Sequence, residues 1–268
     1  MDALRQVEEW GAAHAAAAAL LPGRVLARHG NGRVFRWASV TKLATALAVL
    51  VAAEEATVDL DEPAGPPGST VRHLLAHASG LPFEGHEPIA RPGQRRIYSN
   101  TGFEVLADHV AGCAEMPFAD YLAGAVLEPL GIGAELRETA AAGLWGTLDD
   151  LIRLGRELLA PTLIAPETLA EATSVAFPGL VGVLPDFGRY EPLDWGLGLE
   201  LKDAKEPHWT GSRNSARTFG HFGGAGTFLW VDPEAGIALA CLTDRDFGEW
   251  AKEAWPRLSD AVLAEARV

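Results

Sequence analysis

Strand-like runs sit near both ends of this 268-residue chain, and helical spacing fills its middle. Residues 24–28 and 33–37 read as short strands around Asn31-Gly32, a strong hairpin signal. Four more strand-like runs follow late, at 195–201, 217–222, 226–231 and 237–243, the last two joined by a turn at 232–236. Between these ends, apolar residues recur at helical spacing over 40–55, with Leu43, Leu47 and Leu50 on one face, then over 71–77, 102–113, 117–129 and 147–159. An Ala-rich helix is expected over 3–20, ended by Pro22-Gly23, and a closing helix over 250–266. Strands at both ends with helices inserted predict one sheet completed jointly by the N- and C-terminal segments.

A chain of this length buries roughly 75% of its unfolded surface and folds without staples. Its 36 acidic and 22 basic residues leave a formal charge of −14, and no basic run occurs. That balance argues against nucleic acid and anionic membranes as partners and for small-molecule chemistry. The apolar run 12–21 is not read as a secretory segment, because Asp2, Glu8 and Glu9 precede it and His14 interrupts it. No apolar run reaches the roughly 18 residues of a membrane span. A cytoplasmic protein is expected. Cys113 and Cys241 fit no metal or redox spacing, and Cys241 reads as a small buried hydrophobe.

The 22 basic residues include only four lysines, yet the single charge in the apolar stretch 40–53 is Lys42, three residues after Ser39. Arg cannot lose its proton near neutral pH, whereas a desolvated Lys can. Residues i and i+3 share a helix face, so the two side chains can point at one cleft. Ser39 also has a backbone N–H at a helix start, free to meet a developing oxyanion. Eight serines and four lysines give about 0.12 such pairs by chance.

Tyr98-Ser99-Asn100 is a second candidate. A tyrosine beside an ammonium has its phenolate stabilised and can trade protons with a nucleophile. Asn100 has an amide to hold Lys42 or a substrate carbonyl. The third is His221-Phe222-Gly223, followed by Gly224, between two strand-like runs. Glycines there let a substrate approach the strand edge, and the Gly224 N–H is a second oxyanion donor.

In this order, Ser39-x-x-Lys42, Tyr98-x-Asn100 and His221-x-Gly223 resemble the serine β-lactamase and penicillin-binding-protein superfamily, closest to its class C branch and related carboxylesterases. The likeness extends to 59–63, 70–81, 128–131 and 223–233, nearly the whole chain. It implies an α+β fold: an antiparallel sheet flanked by N- and C-terminal helices, plus an inserted helical lobe. The sheet lobe would take about 1–38 and 161–268, the helical lobe about 39–160, within one domain. It implies an acyl-enzyme on Ser39, with Lys42 and Tyr98 sharing the role of base. Asn100 would orient substrate, and Ser39 and Gly224 amides would form the oxyanion hole, with no metal or cofactor. His221 stands where lactamases and D-alanyl carboxypeptidases usually carry Lys. A neutral imidazole attracts a carboxylate weakly, which favours small esters over β-lactams or D-Ala peptides unless Arg213 or Arg217 compensates. A catalytically silent binding domain is the third reading. No Glu-x-x-x-Asn segment supplies a class A deacylating glutamate.

Other residues are read as structural. His73 and His77 have the spacing of a metal pair, but no Glu follows His73 and no third ligand is evident. The segment starting at Asp59 carries Pro63 and Ala64 where a calcium loop needs a ligand and a glycine. Of the eight tryptophans, Trp145, Trp195 and Trp209 are candidates for an acyl-pocket wall.

Overall fold

The computed structural model describes residues 1–30 and 32–266. Its centre is a six-stranded antiparallel sheet built from both ends of the chain. The strands are β1 (Ala15–Leu21), β2 (Arg24–His29), β9 (Glu200–Leu201), β10 (Phe219–Gly223), β11 (Thr227–Asp232) and β12 (Ile237–Thr243), in the order β2-β1-β12-β11-β10-β9. This is the α+β architecture expected from the sequence.

Two local expectations fail, for instructive reasons. Residues 3–20 do not form one helix: a 3-10 turn over Ala3–Glu9 leads into β1. Alanine has the highest helix propensity, but here tertiary context overrides it. Ala16, Ala18 and Leu20 face one core while Ala17 and Ala19 face the other. A strand buried on both faces reads as continuous apolar sequence, and methyl-sized side chains let helices close in from both sides. Pro22-Gly23 is therefore a hairpin turn rather than a helix stop, with Leu21 opposite Arg24 and Gly23 at φ +76°.

The hairpin expected at Asn31-Gly32 does not form either. β2 pairs back onto β1, and β3 (Phe35–Arg36) joins a small sheet with β6 (Leu144–Gly146) and β5 (Glu135–Leu136). Asn31 itself lies outside the described residues.

One face of the central sheet carries α7 (Glu249–Ala266) and the N-terminal 3-10 turn, packed around Trp230 and Trp255. The other face carries α5 (Leu148–Leu159), capped by Thr147 in a reciprocal box with Asp150. The sequence boundary at residue 160 groups α5 with the helical lobe, but its packing is with β1, β11 and β12. Gly155 makes this approach possible, since a Cβ there would lie 2.9 Å from Leu20 and 3.1 Å from Leu229.

Helix α1 (Thr41–Glu54) lies between the helices of the middle of the chain and β10. All residues from Thr41 to Ala52 are buried, as expected of a helix that is apolar all round. It packs against α3 (Asn100–Ala114) and α4 (Phe118–Leu122), and the latter continues as a π turn over Ala123–Leu127. Helix α2 (Val71–Leu75), N-capped by Thr70, lies on α3. Two short elements, α6 (Pro166–Ala172) and the sheet of β4 (Arg96–Ile97), β7 (Gly182–Leu184) and β8 (Gly188–Tyr190), complete the fold.

Candidate active site

Ser39 sits in a 3-10 turn, Ala38–Val40, that runs directly into α1. The residue before it, Ala38, is held at φ +47°, a left-handed conformation that costs a non-glycine residue free energy. The surroundings fix it there. Thr227 Oγ1 donates to the Trp37 carbonyl (2.8 Å), the Trp37 N–H donates to Leu144 O (2.9 Å), and the Leu144 N–H donates to Thr41 Oγ1 (3.0 Å).

One helical turn on, Lys42 is fully buried (0% exposed). Its Nζ lies 3.3 Å from Ser39 Oγ and donates to Asn100 Oδ1 (2.7 Å) and Ala141 O (2.9 Å). Burial pushes its ammonium from 10.5 down to about 7, with Glu104 pulling weakly the other way. The same Nζ stands 4.8 Å from the Tyr98 ring centroid.

Asn100 opens α3 behind the N-cap Ser99, whose hydroxyl accepts the Gly102 N–H and donates to Pro82 O. That cap sets Tyr98 and Asn100 on either side of a fixed residue. The Tyr98 hydroxyl lies 3.4 Å from His221 Nε2 and lines the same pocket as Ser39. His221 Nδ1 donates to the carbonyl of Phe222 (2.7 Å), which leaves Nε2 as an acceptor facing Tyr98. Burial, with Lys42 adding to it, lowers His221 to about 4, so the imidazole is neutral.

One electrostatic expectation is corrected. Lys42 does not stabilise a Tyr98 phenolate: burial raises the phenol well above its usual range, only partly offset by the nearby Ser39 hydroxyl. Tyr98 is a phenol at neutral pH, and Lys42 is the group poised to change its protonation there.

The predicted residues converge. A pocket of about 130 Å³ is lined by Ser39, Tyr98, His221 and Gly224, with Phe83 and Trp195 among its walls. Gly223 ends β10 so close to the serine turn that a Cβ would fall 2.6 Å from Trp37 O and 3.1 Å from Ala38 Cβ. Lys42 and Asn100 stand behind the pocket, reached through Ser39.

The family profile described as Beta-lactamase matches residues 5–139 and 132–263. The chain belongs to the Beta-lactamase family. A solved structure of a β-lactamase from Mycobacterium bovis is 52% identical, with a TM-score of 0.98 over 99% of this chain and 100% of that one. The hydrolase EstCE1, which has promiscuous acyltransferase activity, shares the fold at 18% identity, with a TM-score of 0.79 over 97% and 96% of the two chains. Among curated proteins, the D-alanyl-D-alanine-carboxypeptidase/endopeptidase AmpH of Escherichia coli is 29% identical over 136 residues. That match spans 37% of this chain and only 35% of AmpH.

Within this family frame, several sequence suggestions change. Trp195 lines the pocket; Trp209 is buried in the second core, and Trp145 packs under Arg137. Among the described residues, neither Arg213 nor Arg217 reaches the pocket: the Arg213 N–H donates to Asp260, and Arg217 lines a separate cavity against Leu158 and Pro233. No helix of the described residues is long and apolar enough to cross a membrane. Cys241 is buried beside Ala17 in β12, as expected, and Cys113 is exposed.

The sequence missed two contributors. The Ala141 carbonyl that holds Lys42 is a backbone group with no side-chain signal. His77, set aside as structural, packs on Tyr98 with ring centroids 4.6 Å apart.

Proposed function

We propose that the protein is a serine hydrolase that forms an acyl-enzyme on Ser39, acting on small esters. One observation carries this reading: a fully buried lysine 3.3 Å from a serine hydroxyl, its acidity brought to about 7. A neutral amine has two N–H bonds and one lone pair. Asn100 Oδ1 and Ala141 O take the two N–H bonds, and the lone pair is left for the Ser39 proton.

In the proposed cycle, Lys42 accepts that proton as Oγ attacks the substrate carbonyl. The Ser39 and Gly224 amides stabilise the oxyanion, each donor worth roughly 3–4 kcal/mol in comparable sites. The proton then passes from the Lys42 ammonium through the Tyr98 hydroxyl to the leaving oxygen, so that Tyr98 ends the step as a phenol and Lys42 as a neutral amine. Water then replaces the alcohol, and the same groups reverse their roles. No step calls for a metal or cofactor. The net charge of −14 and the lack of a basic run favour a cytoplasmic enzyme of small molecules over a partner of nucleic acid or anionic membranes.

A second reading, hydrolysis of β-lactams or D-amino-acid amides, is favoured by the names of the Mycobacterium bovis and AmpH relatives. The neutral His221 argues against it, since it is a poor partner for a substrate carboxylate. The deciding experiment compares wild type and Ser39→Ala on p-nitrophenyl butyrate and on a chromogenic cephalosporin. Ester turnover that vanishes in the variant supports the proposal. Cephalosporin turnover exceeding ester turnover supports the second reading, and activity surviving in Ser39→Ala overturns both.

A further inference from the structure

A larger groove adjoins the catalytic pocket and shares Phe83, Tyr98 and Pro185 with it. Its volume is about 840 Å³ against about 130 Å³ for the pocket at Ser39. The smaller space holds only a few heavy atoms, given that a water takes about 30 Å³ in the liquid. The larger one is of the size that takes a drug-sized ligand.

The floor of the groove is the outer face of the small sheet β4-β7-β8. Register places Ile97 beside Val183, and Val183 beside Arg189, in a row across the three strands. Side chains alternate along a strand, so Arg95 and Ile97 project to this face. Arg96 projects to the other, where it is buried and donates to the carbonyls of Ala76, Leu193 and Ala176. Phe83 and Ile89 also line the groove.

Three of the large apolar side chains most exposed in this protein, Ile89 (60%), Val183 (58%) and Phe83 (49%), meet at this one place. Clustered exposed apolar surface beside a reactive centre marks a ligand-binding surface. Its charge is equally distinct. In a chain with 36 acidic residues, the groove lining contains no carboxylate and two outward arginines, Arg95 and Arg189. Arg189 is held by Glu191 (2.6 Å), whereas Arg95 is exposed and has no carboxylate partner among the described residues.

We propose that this groove binds the larger of the two groups flanking the scissile bond, an extended apolar group ending in an anion that meets Arg95. The inference rests on Ser39 being the nucleophile. It makes the substrate bipartite: a small group against Trp195 and Leu184, and a long acidic one over Ile97 and Val183.

The test uses two pairs of esters. In one, the acyl group is octanedioate, attached as the mono-p-nitrophenyl ester and compared with its methyl-capped twin. In the other, butyrate is esterified to the phenolic oxygen of 4-hydroxyphenylbutanoate and compared with the methyl ester of that acid. The expected result is a preference of about tenfold or more in kcat/KM for the charged member of one pair. Arg95→Ala should remove that preference and leave p-nitrophenyl butyrate turnover within about twofold of wild type. Val183→Asp, at an exposed strand position, should reverse it by placing a carboxylate on the floor. Equal rates for charged and neutral members of both pairs in wild type would overturn the proposal, as would a preference unchanged in Arg95→Ala. Failure of the Ser39 reading appears separately, as butyrate turnover persisting in Ser39→Ala.

Discussion

His77 brackets Tyr98 from both sides. Its carbonyl accepts the Ile97 N–H (2.8 Å), its ring Nδ1 accepts the Ser99 N–H (3.1 Å), and the ring itself lies on the phenol between them. Burial, reinforced by Lys42, holds the imidazole well below its usual acidity range, which keeps Nδ1 an acceptor. His77 is thus a positioning residue for the hydroxyl that meets Ser39.

His77→Ala should lower kcat by about 10²-fold with KM little changed, the scale of loss when a catalytic group is displaced by about 1 Å. Asparagine tolerates the left-handed backbone found here (φ +53°), and its Oδ1 can take the place of Nδ1. His77→Asn should therefore recover much of the loss. Steady-state kinetics on an ester, with circular dichroism to check the fold, decide the matter; equal losses in both variants would leave a packing role only.

Lys42 sets the pH dependence. It works as a base only when neutral, and its acidity in the fold is about 7. Activity should rise with pH through about 7, with unit slope below it, and level off above. His221, at about 4, is neutral throughout this range and should add no second limb between pH 5 and 8. A kcat/KM profile against pH checks this. Lys42→Arg keeps a cation in place but cannot accept the proton, and should lower kcat by about 10²–10⁴-fold.

Gly223 leaves no space for a side chain, because the would-be Cβ meets the backbone carbonyl of Trp37 and Thr227 Oγ1, both at 2.6 Å. Gly223→Ala should push the serine turn away from β10 and break the Thr227 bond that anchors it. Activity should fall by at least about 10²-fold, whereas Gly224→Ala, with open space around its would-be Cβ, should fold normally. Fluorophosphonate labelling of Ser39 in the two variants separates these outcomes.

Ala18 faces the core between the sheet and α5, next to Leu20. Ala18→Leu should destabilise the protein by about 1–3 kcal/mol through overpacking, although it is a conservative change on hydropathy alone. Urea unfolding measures it, and an unchanged midpoint would show that α5 gives way.

The parts of the site carried by side chains at fixed local spacing were legible. Ser39 and Lys42 follow from one helical turn, and Tyr98 and Asn100 from their spacing on either side of Ser99. The parts carried by backbone were not: nothing in Ala140-Ala141 announces a carbonyl that orients a lysine. The fold was readable where periodicity was strong, as in α1 and α5, and where Asp232 to Gly236 marks a turn. It was misread at residues 15–21, where alanine's helical preference concealed a strand whose small side chains are required by the layers on both sides. The short strands β7 and β8 escaped notice because two or three residues show no period, and with them the floor of the groove.

The pairing of β1 with β12 joins Ala15 to Thr243 and Leu20 to Ala238. The middle of the sheet is thus a seam between segments more than 200 residues apart in the chain. β1 can pair with β2 locally, but a ribosome must release β12 before the other edge of β1 gains its partner, and loop closure over that distance is slow. Until then, the apolar edge of β1 waits unpaired, and Ser39 has no β10 or β11 to stand against. A product that stops short of β12 lacks a central strand of the sheet, so the reactive serine is assembled only in chains that extend through β12.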